Sequence, residues 1–314
     1  MNWDKPIAYE YTKAADPDIP HVPIRPFPSD VHRDGPSRVV HFDHSRELKT
    51  DYPASSPNCL ASFVHVRAGE SLTTDIQATS HLFYVLRGEG ETEVDGESVQ
   101  WKVDDVITLP HCERITHKSR LDSAMYWVND NPLLRYLGVR PARTIFRPVH
   151  YQAEWLRQQT EKAARDPEAR KHNRIGILLA NPACPLTLTI TPTLWSLLEV
   201  VAPGAVLPPH RHNSVALDLA IKGCKGGFTL IGSEVDDEGR IKNPVRVDWD
   251  DASAFTTPPM LWHEHHNEGS DTAWVFPVQD AGLVTYDRIL DIRFGSLPHR
   301  KSGGRGHKAG VSAF

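Results

Sequence analysis

Short runs of alternating apolar and polar residues recur along most of this chain, and nearly every run stops at a turn residue. In the first half these are "SFVHVRAGESL" (62–72), "HLFYVLRGEGETEVDGESVQW" (81–101) and "DVITLPHCERITHK" (105–118). In the second half "LTLTITPTLWSLLEVVAPG" (186–204), "VALDLAIKG" (215–223), "VRVDWDDASAFTTPP" (245–259) and "TAWVFPVQD" (272–280) have the same texture. A period of two puts successive side chains on opposite faces of an extended strand. Asp95-Gly96 in "EVDGESV" supplies the positive φ angles that a two-residue hairpin turn demands. Many short strands at turn spacing predict a β-sandwich or small barrels.

The two halves can be laid on each other. "RAGESLTTDIQATSHLFYVLRGEG" (67–90) has the rhythm of "VAPGAVLPPHRHNSVALDLAIKGCKG" (201–226), a glycine followed at similar distance by a strand that closes on another glycine. That is the pattern of an internal duplication. Between the halves, "YQAEWLRQQTEKAARDPEARKH" (151–172) is rich in helix formers and is broken by Pro167. The expected organisation is a proline-rich arm over 1–40, a β domain over 41–145, a helical linker over 146–175, a second β domain over 176–295, and a basic, glycine-rich, flexible tail over 296–314.

With 39% apolar and 24% charged residues, the 314-residue chain can bury a sizeable core. Its formal net charge of −5 argues against nucleic acid and anionic membranes as partners. No apolar run approaches the ~20 residues that span a bilayer, and the opening residues lack the pattern of a secretory signal. Cys59, Cys112, Cys184 and Cys224 form no CxxC pair and read as reduced structural thiols. These features predict a cytoplasmic protein.

The chemistry concentrates in "PPHRHNSVALDLAIKG" (208–223). His210 and His212 are two apart on one strand, so they point the same way. Alone, such a pair more often marks solvated side chains in a proline-rich turn. A third imidazole is available in "TPPMLWHEHHNEG" (257–269), where His263 and His265 share a face while Glu264 and His266 point away. Three imidazoles on one side leave coordination positions open, which marks a reactive centre rather than a closed structural one. His265 is placed to move a proton or bind a substrate oxygen. In the first half Asp75 and Gln77 stand where His210 and His212 do, and the third position falls near Ile115. His81 and His117 are out of phase, so that half is expected to be a scaffold with its metal motif degenerate.

These residues carry a family resemblance. "GAVLPPHRHNSVALDLAIKG" (204–223) resembles the first cupin motif and "PPMLWHEHHN" (258–267) the second. The closer similarity is to bicupins of the gentisate 1,2-dioxygenase and salicylate 1,2-dioxygenase type, which run "HRHxxxAL" into a strand and then show "WHxH". The resemblance implies an all-β bicupin, two double-stranded β-helix (jelly-roll) barrels joined by a helical linker. It makes His210, His212 and His263 the metal ligands, with Leu217 at the place of the usual cupin glutamate. It implies Fe(II), although Zn, Mn or Ni suit the same donors. It further implies extradiol-type cleavage of a hydroxylated aromatic ring with O2. The proline-rich arm, of a kind that often lies across a partner subunit, predicts a homodimer or homotetramer.

The pattern breaks in two places. In that type an arginine follows the motif and holds the substrate carboxylate, whereas here Asp218 stands six residues after His212. Either the substrate offers Asp218 a hydroxyl or an amine, or a carboxylate is held by Arg174, Arg246 or an arginine of the arm. The order of the halves is also reversed, with the metal-bearing half second. Trp195 and Trp262 are expected to wall the substrate pocket. Two other functions are compatible with the motif, a metal-dependent isomerase or lyase acting on a small polar metabolite, and a non-catalytic binding bicupin.

Overall fold

The computed structural model describes residues 3–15, 17–167 and 175–295, and the expected tail over 296–314 lies outside them. The chain divides into two units, Met1–Ile24 with Asp30–Gln152, and Arg25–Ser29 with Ala153–Phe314. In both units every strand pairing is antiparallel. All four cysteines are buried and none is in a disulfide. Among the described residues no helix is long and apolar enough to cross a membrane.

The first unit has a six-stranded sheet in the order Val149–Tyr151, Val106–Pro110, Ser80–Arg87, Ser123–Asn129, Leu60–Val66 and Arg38–His41. Its second sheet runs Ser71–Thr74, Ile115–Ser119, Glu89–Val94, Glu97–Lys102. The hairpin read at Asp95-Gly96 is present, with φ of 50° and 84° at the two turn residues. Side chains fill the interior, including Val64, Phe83, Ile107, Ile115 and Trp127, with Phe83 and Trp127 stacked at 5.3 Å.

Two histidines are packed into that interior. Burial pushes His81 down to about 3, helped by His111 and His117, and pushes His117 down to about 4. Among the described residues neither Nε2 has a hydrogen-bond partner. An unfolded chain takes up protons at both rings below pH ~6.5, where the folded unit does not. Stability is therefore expected to fall as pH drops from ~6.5 towards 4. The loss should reach a few kcal/mol, since each tenfold change in proton affinity is worth ~1.4 kcal/mol. Denaturant melts of the parent and a His117→Gln variant across that range check this; equal slopes in the two would contradict it.

The second unit repeats the plan. Its six-stranded sheet runs Pro26–Phe27, Ser253–Thr257, Ala216–Lys222, Ala273–Gln279, Trp195–Val201, Ile175–Leu178. The facing sheet runs Val245–Asp248, Gly227–Gly232, Trp262–Asn267, Val206–His212, Ile292–Phe294. The internal repeat of the sequence is thus a repeated strand order.

The expected boundaries need two corrections. The arm is not wholly outside the β domains, because Pro26 and Phe27 pair with Phe255 and Ala254 in the second unit. A proline suits such an edge strand, where its missing N–H costs nothing. Among the described residues the linker carries the helix Ala153–Ala164. Val149–Tyr151 before it carries strand-forming Val149 and Tyr151 and extends the first unit's sheet, and a strand begins again at Ile175.

Candidate metal centre

Two prolines set up the site. On the strand Val206–His212, Val206 lies opposite His266 and Leu207 opposite His265, but after Pro208 and Pro209 the pairing slips and His210 lies opposite His263. Prolines donate no ladder hydrogen bond, so the extra residue is accommodated there as a bulge. Because faces alternate along a strand, one extra residue reverses the phase. The slip turns His210 and His212 onto the inward face that Leu207 and His265 already share.

The first unit lacks the slip. Its corresponding pair of strands keeps one register throughout, Leu72 opposite His117 and Thr74 opposite Ile115. Thr74 therefore takes the place of His210, and Ile76, packed against the core, the next inward position. The sequence alignment that put Asp75 and Gln77 there is corrected by one residue, and Asp75 is exposed.

The ligand atoms of His210, His212 and His263 all lie within 4.8 Å of one another. The ring centroids of His210 and His263 are 4.0 Å apart, those of His212 and His263 4.9 Å. His212 Nδ1 lies 2.8 Å from the Ser214 carbonyl and His263 Nδ1 lies 3.0 Å from the Leu261 carbonyl. A carbonyl only accepts, so each Nδ1 carries the proton and each Nε2 lone pair is left for an ion. Ser214 Oγ, which donates to Gln279 Oε1 at 2.7 Å, reinforces the His212 orientation from 3.1 Å. This donor set fits a divalent metal that prefers imidazole.

His265 is held differently. Trp249 Nε1 donates to Thr229 Oγ1 at 2.9 Å, and Thr229 Oγ1 lies 2.9 Å from His265 Nδ1. Thr229 is buried, and its hydroxyl proton is satisfied only by donation to that Nδ1. The neutral His265 ring therefore keeps its proton on Nε2, and the residue lines the cavity. The first unit repeats this arrangement in Trp101, Thr92 and His117, at 2.9 and 2.8 Å. The motif is built into the barrel of both units, and in the second its histidine lines a cavity.

That cavity, about 350 Å³, lies between the two sheets of the second unit. The histidines line it from one sheet; Trp195, Glu199, Asp218 and Gln279 line it from the other. Asp218 and Glu199 are both buried. Thr257 donates to Asp218 Oδ2 at 2.6 Å. Burial pushes Asp218 up to about 7 against that hydrogen bond, and the charge of Glu199 adds to the rise.

The other expected site residues fall as follows. Trp195 lines the cavity. Trp262 does not: it precedes His263 on the same strand and so faces the opposite side, where the Arg211 guanidinium stacks on it at 5.5 Å. Leu217 also faces away from the cavity, since it alternates with Asp218; the inward residue nearest the glutamate's place is Ala216. Arg246 lies outside, bonded to Asp248 and stacked on Phe228, and Arg174 lies outside the described residues. His266 is on the outer face, 3.1 Å from Glu264 and stacked on Phe228. Glu199 was missed in the sequence, although in "LWSLLEVV" it keeps the odd-numbered phase of Trp195 and Leu197.

No protein-family model matches this chain. The chain is 27% identical to 1-hydroxy-2-naphthoate 1,2-dioxygenase of Nocardioides sp. (strain KP7) over 191 residues, 56% of this chain and 44% of that protein. It is 34% identical to a gentisate 1,2-dioxygenase of Haloferax sp. over 95 residues, 30% of this chain and 24% of that protein. The match thus spans less than half the length of these curated relatives. Among solved structures, the salicylate 1,2-dioxygenase from Pseudaminobacter salicylatoxidans superposes with a TM-score of 0.67 at 13% identity, covering 89% of this chain and 90% of that one. A cupin 2 conserved barrel domain protein from Leptotrichia buccalis superposes at 0.50 and 12%, over 81% of this chain and 95% of that one. Two barrels of one strand order, with these structural neighbours, define the fold class as an all-β bicupin. The resemblance to the gentisate and salicylate dioxygenase type that the motifs carried is matched by these relatives.

Proposed function

We propose that this bicupin is a non-haem Fe(II) dioxygenase that cleaves the ring of a hydroxylated aromatic compound with O2. One observation carries the proposal: three inward imidazoles, two of them fixed by carbonyls so that Nε2 faces the cluster, open onto a cavity sized for a small ring. The two named relatives and the salicylate 1,2-dioxygenase structure support it, being dioxygenases of hydroxylated aromatic acids. His210, His212 and His263 would hold the iron, which would supply coordination of substrate and O2 and a path for electrons between them.

The chain supplies the rest. Trp195, Leu197 and Phe294 give the ring an apolar bed that keeps water out. His265 presents its Nε2 proton to a substrate oxygen, and Thr229 and Trp249 keep that ring from turning. Asp218 receives a polar ring substituent. We further propose a cytoplasmic homodimer or homotetramer.

The test is metal content after anaerobic purification, followed by oxygen uptake with catechols, hydroquinones, salicylates and aminophenols. Near one iron per chain and uptake with some member of the panel are expected. Bound metal with no uptake on any ring would replace this proposal with the isomerase or lyase. No metal at all would favour a binding bicupin.

A further inference from the structure

Ser214 touches two residues of the cavity. Its carbonyl and its hydroxyl lie 2.8 and 3.1 Å from His212 Nδ1, and the hydroxyl donates to Gln279 Oε1 at 2.7 Å. Gln279 closes the strand Ala273–Gln279, lines the cavity and is 5% exposed. The backbone around the pair is fixed as well, since Val215 N donates to Asp280 Oδ1 at 2.9 Å and Ala216 lies opposite Gln279. The direction of this chain of bonds is set at its histidine end. His212 offers Nε2 to an ion only with its proton on Nδ1, so Ser214 Oγ can accept from that nitrogen but not donate to it. The hydroxyl proton goes to Oε1 instead. An amide turned over would set its NH2 against a buried hydroxyl whose own proton then had no acceptor. With Oε1 committed to Ser214, the amide's other end is Nε2. Among the described residues it makes no hydrogen bond, and it is not one of the buried atoms left without a partner, so a ligand can reach it.

We propose that Gln279 Nε2 donates to an oxygen of the ring substrate other than those on the metal, and that Ser214 is the positioning residue that aims it. This rests on the ring-cleavage proposal for the same site. The class of substrate is thereby narrowed to rings that carry, beyond their metal-binding oxygens, one more oxygen able to accept: a hydroxyl, an ether or a carbonyl. A ring without it leaves a buried amide N–H unpaired, and nothing in its own binding offsets that loss. His265 approaches from one sheet and Gln279 from the other, so the ring is met on two sides. His212, Ser214 and Gln279 also form one chain, in which the tautomer that suits the metal is the one that turns the amide's donor to the substrate.

The experiment is calorimetric binding to the anaerobic, iron-loaded full chain, with oxygen uptake measured separately. The probes are 3-methoxycatechol, 4-methoxycatechol and 5-methoxysalicylate, each against its ethyl counterpart. The ethyl ring has nearly the same shape and the same metal-binding oxygens but lacks the acceptor. The parent protein should bind at least one methoxy ring about tenfold tighter than its ethyl counterpart, because a site with a buried donor discriminates against a ligand that leaves it unpaired. In Gln279→Met, of similar size and without a donor, that preference should shrink to within about threefold, while the ethyl ring stays within about threefold of its parent affinity. Ser214→Ala keeps the amide but not its aim, and should show a preference between those of the parent and Gln279→Met. Unchanged circular dichroism and iron content in a variant exclude misfolding as the cause.

Equal binding of methoxy and ethyl rings by the parent protein overturns the inference while leaving ring cleavage standing. So does a preference that survives Gln279→Met, or a loss of both rings alike in that variant, which is what a merely structural role would give. Failure of every ring to bind overturns it too. A full preference in Ser214→Ala overturns the positioning role of the serine. Preference for a methoxy ring with no oxygen consumed on any ring keeps the inference and overturns ring cleavage instead.

Discussion

The His263→Ala protein should hold iron at least about a hundredfold more weakly than its parent and consume no oxygen. Partners outside the coordination sphere are already worth about 10–100-fold in metal affinity, and on the proposed function His263 would be a direct ligand, with its Nδ1 anchored on the Leu261 carbonyl. His265→Ala is the informative contrast, because His265 is two residues further along the same strand and faces the same cavity. Its ring is tied to Thr229 and Trp249, so its loss should leave metal affinity within about tenfold and lower turnover instead, by roughly the 10²–10⁴ typical of a proton-handling group. Anaerobic metal titration of the two variants decides the matter. Equal loss of iron in both would mean that the ligand set is wrong.

Asp218→Asn should make the metal-free protein more stable at pH 8 and leave it nearly unchanged near pH 4. The unfolded chain releases the Asp218 proton around its ordinary 3.8, whereas burial holds the folded group's proton up to about 7. Between those values the folded state binds more protons than the unfolded one, so the native protein loses stability as pH rises through the window, and the loss persists above it. A rise of that size corresponds to on the order of 4 kcal/mol, which would raise the melting temperature by roughly 8–16 °C for a unit of this size. Thermal melts of parent and variant at pH 4, 6 and 8 check it. A difference that does not grow with pH would place Asp218 in contact with water. The slope is opposite in sign to that expected from His81 and His117 in the first unit.

The fold was legible because it rests on local rules: alternation, the Asp95-Gly96 turn, and a repeated spacing of glycines. The cluster of His210, His212 and His263 was legible because two motifs in one half point to one another. Register was not. Whether His210 faces in depends on a slip at Pro208 and Pro209, and the same slip misled the alignment of Asp75 and Gln77 with the histidines. Trp262 was misplaced by closeness in sequence, although strand alternation sends it away from His263. Glu199 was hidden in an apolar run, since only the facing sheet shows which of its residues meet the histidines.

The bulge also means that the metal centre is sensitive to length as well as to composition. Leu207 and His265 in one unit correspond to Leu72 and His117 in the other, so the two frameworks coincide up to the prolines. Beyond that point one inserted residue separates a barrel that gathers imidazoles from one that packs itself shut. Placing histidines at positions 74 and 76 would therefore put them on the inward face without any insertion, whereas a one-residue deletion at the prolines would turn the ligands outward with every histidine still in the sequence. Comparisons by residue identity alone would score that deleted chain as an intact site.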